Sequence, residues 1–177
     1  MDLEPYRPVA TGVILLCLAG IGALKMAAAN KIYKKKAAAD SFLGSYPMSP
    51  RPLTAAMDVA SARQKFVAGL RQVTVNQGWS IKHFDPGSSH IEATMRWSSR
   101  IIDQSGFDSR YRKVTQVNST LVVKAEILSQ GSSSLLHWSY DSDASSWTDP
   151  SNHRRDPMAE DYAIETNFLI LQSLGLV

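Results

Sequence analysis

The chain has 177 residues with 19 Lys and Arg, 16 Asp and Glu, 44% hydrophobic residues and one cysteine. One cysteine excludes an internal disulfide framework, and the length allows one ordinary domain beside a short accessory segment. The net charge of +3 is unevenly placed. Between residues 31 and 51 there are five basic residues and one acid, whereas 52–177 carries twelve basic and thirteen acidic residues. A nearly neutral globular part excludes the broad electropositive surface that nucleic acid demands, so no nucleic-acid partner is expected.

From the N-terminus, a tail over 1–8 precedes an apolar run, Val9 to Leu24 (VATGVILLCLAGIGAL). A bilayer core about 30 Å thick needs roughly 20 helical residues. The run reaches that length when continued through Ala29, so 9–29 is expected to be a single transmembrane anchor. Val13, Ile14, Leu15, Leu16, Cys17, Leu18, Ile21 and Leu24 are its lipid-facing candidates. Gly20, Gly22 and Ala23 form a small-residue stripe, but not a GxxxG pairing motif. Two other readings exist. A cleaved signal peptide suits the short apolar core and the Ala27-Ala28-Ala29 tail, but the leading MDLEPYRP lacks a basic n-region. A lipoprotein site at Cys17 has Leu16 where a small residue belongs.

Lys25, Lys31, Lys34, Lys35 and Lys36 follow the run and only Arg7 precedes it. Basic residues beside a span stay on the cytoplasmic side, so the domain is expected on the positive-inside face, whether cytoplasm, matrix or stroma. The five lysines are also candidates for contact with lipid headgroups. An exported, periplasmic placement is the alternative. The collar and a Pro- and Ser-rich stretch make 30–52 a juxtamembrane segment and linker, and the folded domain is expected over 53–177.

In that domain Thr54 is read as a helix N-cap with Asp58 in the first turn. Val59, Ala62, Phe66, Leu70 and Val73 mark one apolar helical face, and Gly78 the helix end. The period then changes to two. Trp79, Ile81 and His83 form a strand, Asp85-Pro86-Gly87 a turn, and Ile91, Ala93, Met95 and Trp97 the second strand of a hairpin. Residues 100–111 read as a polar connection with a strand edge at Ile101-Ile102. A strand over 113–128 buries Leu121, Val123, Ala125 and Ile127. Gln130-Gly131-Ser132 turns into a fourth strand over 135–140, and 141–155 reads as a loop. Asp156-Pro157 starts a helix that runs to about Leu174. The fold class is α+β: two layers, about four antiparallel strands flanked by an N-terminal and a C-terminal helix.

Phe168, Leu169, Ile170 and Leu171 point around the whole final helix, so either the first helix or a partner must cover part of it. These four are the candidate partner-binding residues. Chemistry has weaker signals. His83, Asp85 and His90 flank one turn and suit a divalent ion, but ordinary hairpin-end polarity explains them. Asp141, Asp143 and Ser145 lack the glycine and glutamate of a calcium loop. His137 beside Trp138 reads as a strand residue. Arg96, Arg100, Arg110, Arg112 and Lys113 are scattered charge or an anion patch. Asn118-Ser119-Thr120 is a sequon inside a strand. No catalytic residue, metal site or cofactor is assigned. The pattern suggests a membrane-anchored, non-enzymatic interaction or assembly subunit with lipid and protein partners. A membrane-tethered hydrolase or metal-dependent enzyme, and an envelope domain, are the alternatives.

Overall fold

The computed structural model describes residues 30–74, 78–82, 89–103, 113–146 and 157–177. The expected anchor over 9–29 and the turn at 85–87 lie outside these residues. Three helices and five strands follow: α1 (30–43), β1 (Leu53–Ala55), α2 (Val59–Gln72), β2 (Ser80–Lys82), β3 (His90–Asp103), β4 (Lys113–Gln130), β5 (Ser133–Ser146) and α3 (Pro157–Leu174). The strands form one antiparallel sheet in the order β1-β5-β4-β3-β2. This is the α+β class read from the sequence, with five strands rather than four.

Alternation decides which face of the sheet is covered. Ile91, Ala93, Met95 and Trp97 of β3 are buried, as are Leu121, Val123, Ala125 and Ile127 of β4 and Leu136, Trp138 and Tyr140 of β5. The register sets small against large, with Ala125 opposite Ile91 and Trp138, so side chains of unlike size interdigitate. Phe66 of α2 meets Trp138 edge-on with ring centroids 5.5 Å apart, and Tyr162 of α3 meets Trp97 at 4.9 Å. The helices therefore lie on one face. On the other, Glu92, Arg96, Lys124, His137 and Asp141 are exposed.

Three expectations change. Thr54 is not a cap; it pairs with Leu135 in β1, an edge strand whose Leu53 and Ala55 enter the core. The cap is Asp58, which accepts hydrogen bonds from Ser61 N at 2.9 Å and Ser61 Oγ at 2.7 Å, satisfying one free donor of the first turn. Those bonds, from the Ser61 backbone first and its hydroxyl next, hold the Asp58 carboxyl below its ordinary value. Secondly, α2 ends at Gln72, with Val73 N donating to Leu70 O. Gly78 does take a positive φ of 72°, but six residues beyond the helix, where a Cβ would stand 2.5 Å from Val73 O. Thirdly, β3 and β5 are longer than read. Residues 141–146 are strand, paired with β4 from Val117 to Val122.

Residues 30–52, read as a juxtamembrane segment and linker, hold α1 and a segment laid on the domain. Ala39 and Leu43 are core residues, and Tyr140 N donates to Met48 O at 2.9 Å. Asn167 of α3 fixes that segment. Its Oδ1 accepts from Trp138 Nε1 at 2.9 Å and Tyr140 Oη at 2.7 Å, while its Nδ2 donates to Pro47 O at 2.9 Å. One residue earlier, Thr166 Oγ1 accepts from Trp79 Nε1 at 3.1 Å and donates to Tyr162 O at 2.7 Å. The two helices also touch closely: a Cβ on Gly69 would lie 2.7 Å from Ile170 Cα.

Burial pushes the Tyr140 hydroxyl above its ordinary 10.0. The unfolded chain therefore ionises first as pH rises, and the folded state keeps its proton. Stability from this group is complete below 10.0 and is lost as pH climbs beyond it. Tyr140→Phe is expected to lose about 1 kcal/mol at neutral pH, for the missing hydrogen bond, and to flatten the alkaline decline. Denaturant midpoints of both chains at neutral and alkaline pH check this; parallel declines would contradict it.

Candidate functional site

The junction between α1 and α3 draws together residues from both functional signals in the sequence, the lysine collar and the apolar run of the last helix. Helical geometry splits the collar. Asn30, Lys34, Ala37 and Ser41 follow a four-three-four spacing and are exposed, whereas Ala39 and Leu43, on the opposite stripe, are buried. Lys35 points along the domain. Its Nζ lies 2.5 Å from Glu165 Oε1 and 5.8 Å from the centre of the Phe168 ring, combining an ion pair with a cation–π contact. Lys36 Nζ pairs with Asp40 Oδ2 at 2.8 Å, one turn on. Lys31 and Lys34 are exposed. Lys25, like Val13, Ile14, Leu15, Leu16, Cys17, Leu18, Ile21 and Leu24, lies outside the described residues.

The apolar run of α3 is largely spent inside the domain. Ile170 and Leu171 are fully buried, against α2 and the sheet core. Leu169 is half-buried and packs on the same core; Phe168 is half-buried beside Lys35. The first helix of the notional domain, α2, does cover much of the last, and α1 adds a second neighbour. Of the four partner-binding candidates, only Phe168 and Leu169 keep accessible surface.

His83 and Asp85 are outside the described residues, and His90 is exposed at the start of β3, with Nδ1 2.9 Å from Ser89 Oγ and Nε2 3.5 Å from Glu126 Oε1. Among the described residues no three His, Cys, Asp or Glu side chains come together. Asp141 and Asp143 lie on β5 rather than in a loop, and Asp141 Oδ2 accepts from Lys124 Nζ at 2.9 Å. That hydrogen bond, reinforced by the Asp141 charge, raises the Lys124 ammonium above its ordinary value. Asn118 accepts from Ser98 Oγ at 2.7 Å and Ser119 is buried, so the sequon is sheet structure. Arg96 is exposed on β3; Arg100 and Lys113 are strand residues, and Arg110 and Arg112 are outside the described residues.

Sequence reasoning passed over Glu165 and Asn167. The signal was present: three consecutive polar residues, Glu165 to Asn167, interrupt an apolar helix, and buried polar groups need partners. Near α3's start, burial raises the Asp161 carboxyl, with Glu160 adding to it.

No protein-family profile, curated protein or solved structure matches this chain.

The Lys35–Glu165 pair is half-buried and spans 130 residues of sequence. Glu165→Lys is expected to destabilise the domain and Lys35→Glu with Glu165→Lys to recover most of the loss, a coupling of about 1 kcal/mol for a partly screened pair. A double-mutant cycle on the full chain in detergent micelles measures it; zero coupling would show that the pair does not secure α1.

Proposed function

We propose that this chain is a single-pass, membrane-anchored, non-enzymatic subunit of a larger membrane-associated assembly, with its α+β domain on the positive-inside face. The observation that carries the reading is the docking of α1. The apolar run lies a few residues before the described part of α1, and α1 is bound into the domain through Lys35, Ala39 and Leu43. A span over 9–29 would thus hold the domain beside the bilayer. Phe168 and Leu169, half-open near that junction, are the proposed protein contact. The near-neutral charge of 52–177 supports a protein rather than a nucleic-acid partner.

Phe168→Glu places a carboxylate where Lys35 already lies 5.8 Å from the ring centre, so the fold is expected to persist while an apolar contact is lost. On a native gel of mildly solubilised membranes, the assembly is expected to shrink with little change in the domain's melting temperature. An unchanged complex size removes the support for this contact. Orientation has its own test. In sealed vesicles the domain should be digested only by protease on the positive-inside side; digestion from the opposite side places it in an exported compartment.

A further inference from the structure

The outer surface of α1 and of the chain beyond it differs from the rest of the domain. Tyr33 is 71% exposed, Phe42 40% and Tyr46 79%, and these are three of only six large hydrophobic residues so exposed among the described residues. Lys31, Lys34 and Arg51 are exposed on the same segment. Arg51 lies across the turn at Gly44, where a Cβ would come within 2.9 Å of its Nε. No carboxylate is exposed between residues 30 and 52: the one acid, Asp40, is half-buried and bound to Lys36. Elsewhere the exposed surface mixes signs, as with Glu92, Arg96, Lys124 and Asp141.

We infer that α1 lies flat on an anionic bilayer, its outer face and the following turn forming a lipid-binding surface. Lysine and arginine meet lipid phosphates there, and Tyr33 and Tyr46 seat their rings at headgroup level. The inference rests on the proposed anchor, and it adds a geometry the anchor alone does not fix. The described part of α1, fourteen residues, is about 20 Å long, and the headgroup zone of one leaflet is only about 5–8 Å deep. An upright α1 would carry Ala37 roughly 10 Å past residue 30, and the turn at Ser45 farther still. Flat, it lets both Tyr33 on α1 and Tyr46 on the turn after it, each largely exposed, reach the headgroups. It also keeps Lys35 and the buried stripe on the domain side, with small Ala37 and Ser41 against the lipid. Among the described residues the polar face of the sheet is then left free, because the helices cover only its other side.

The test uses the full chain with Cys17→Ser and one new cysteine, Ala37→Cys, Ser45→Cys or His137→Cys, carrying an environment-sensitive nitrobenzoxadiazole probe. Each chain is reconstituted in vesicles of phosphatidylcholine with phosphatidylglycerol, and in phosphatidylcholine alone. In the anionic vesicles blue-shifted emission and quenching by headgroup-proximal spin-labelled lipid are expected at positions 37 and 45 and not at 137. Both signals should weaken in neutral vesicles, and should vanish with Lys31→Glu and Lys34→Glu. A water-like probe at 45, in protein that still floats with vesicles after alkaline carbonate, overturns the flat helix and leaves the anchor standing. Equal signals in neutral vesicles overturn the assignment to anionic lipid. Release of the chain by carbonate overturns the anchor and this inference together.

Discussion

The buried amide of Asn167 is the constraint on which the arrangement of the other elements depends. It joins three parts of the chain that sequence does not place together: α3, β5 through Trp138 and Tyr140, and the Pro47 carbonyl after α1. Apolar contacts between a helix and a sheet tolerate sliding at modest cost, since one methyl group replaces another. An amide with two donors aimed at its oxygen and one acceptor at its nitrogen does not. A displacement that breaks any of these bonds leaves a buried polar group unpaired, at about 1–3 kcal/mol each. Thr166 repeats the arrangement one residue earlier with Trp79. Adjacent positions on α3 thereby fix the helix against β5 in one direction and against the entry to β2 in another.

α2 and α3 approach closely beside the same network. Gly69 leaves no Cβ where Ile170 backbone stands, so the two helices meet backbone to backbone at this point. Phe66 then reaches Trp138, whose indole nitrogen is the one held by Asn167. Polar and aromatic contacts are thus one network, in which the ring that fills the core also carries a donor that fixes its orientation.

The sequence disclosed the parts that depend on apolar periodicity. β3 and β4 were visible in Ile91 to Trp97 and Leu121 to Ile127, and α3 in its Pro157 start, because these patterns bury one face. What escaped was structure whose inward residues are few or small. β1 is three residues long, too short for alternation to show. The extension of β5 through 146 carries Ser142 between the exposed Asp141 and Asp143, and serine with aspartate reads as loop chemistry although β4 pairs with it throughout. In α1 only Ala39 and Leu43 enter the core, and a lysine cluster beside three prolines masks a helix. The junction was half legible. The collar and the apolar run of α3 were both singled out, but the fact that one lysine of the first meets the second is long-range geometry.

That meeting changes what the proposed membrane attachment would accomplish. A flexible tether over residues 37–52 would let the domain wander by roughly 20 Å about its attachment point, taking about 5–6 Å times the square root of the number of residues. Docking by Lys35, Ala39, Leu43 and the Pro47 carbonyl removes that freedom and leaves one fixed orientation relative to α1. On the proposed reading, a contact surface such as Phe168 and Leu169 is then offered at a constant height above the bilayer. A partner in the same membrane meets it without the entropic cost of first halting a swinging domain. The restriction cuts the other way for partners in solution, which a rigid mount at the surface cannot reach out to capture. As proposed, such a mount would favour neighbours confined to the same bilayer, and the orientation of α1, more than the affinity of any single side chain, would then decide what the domain binds.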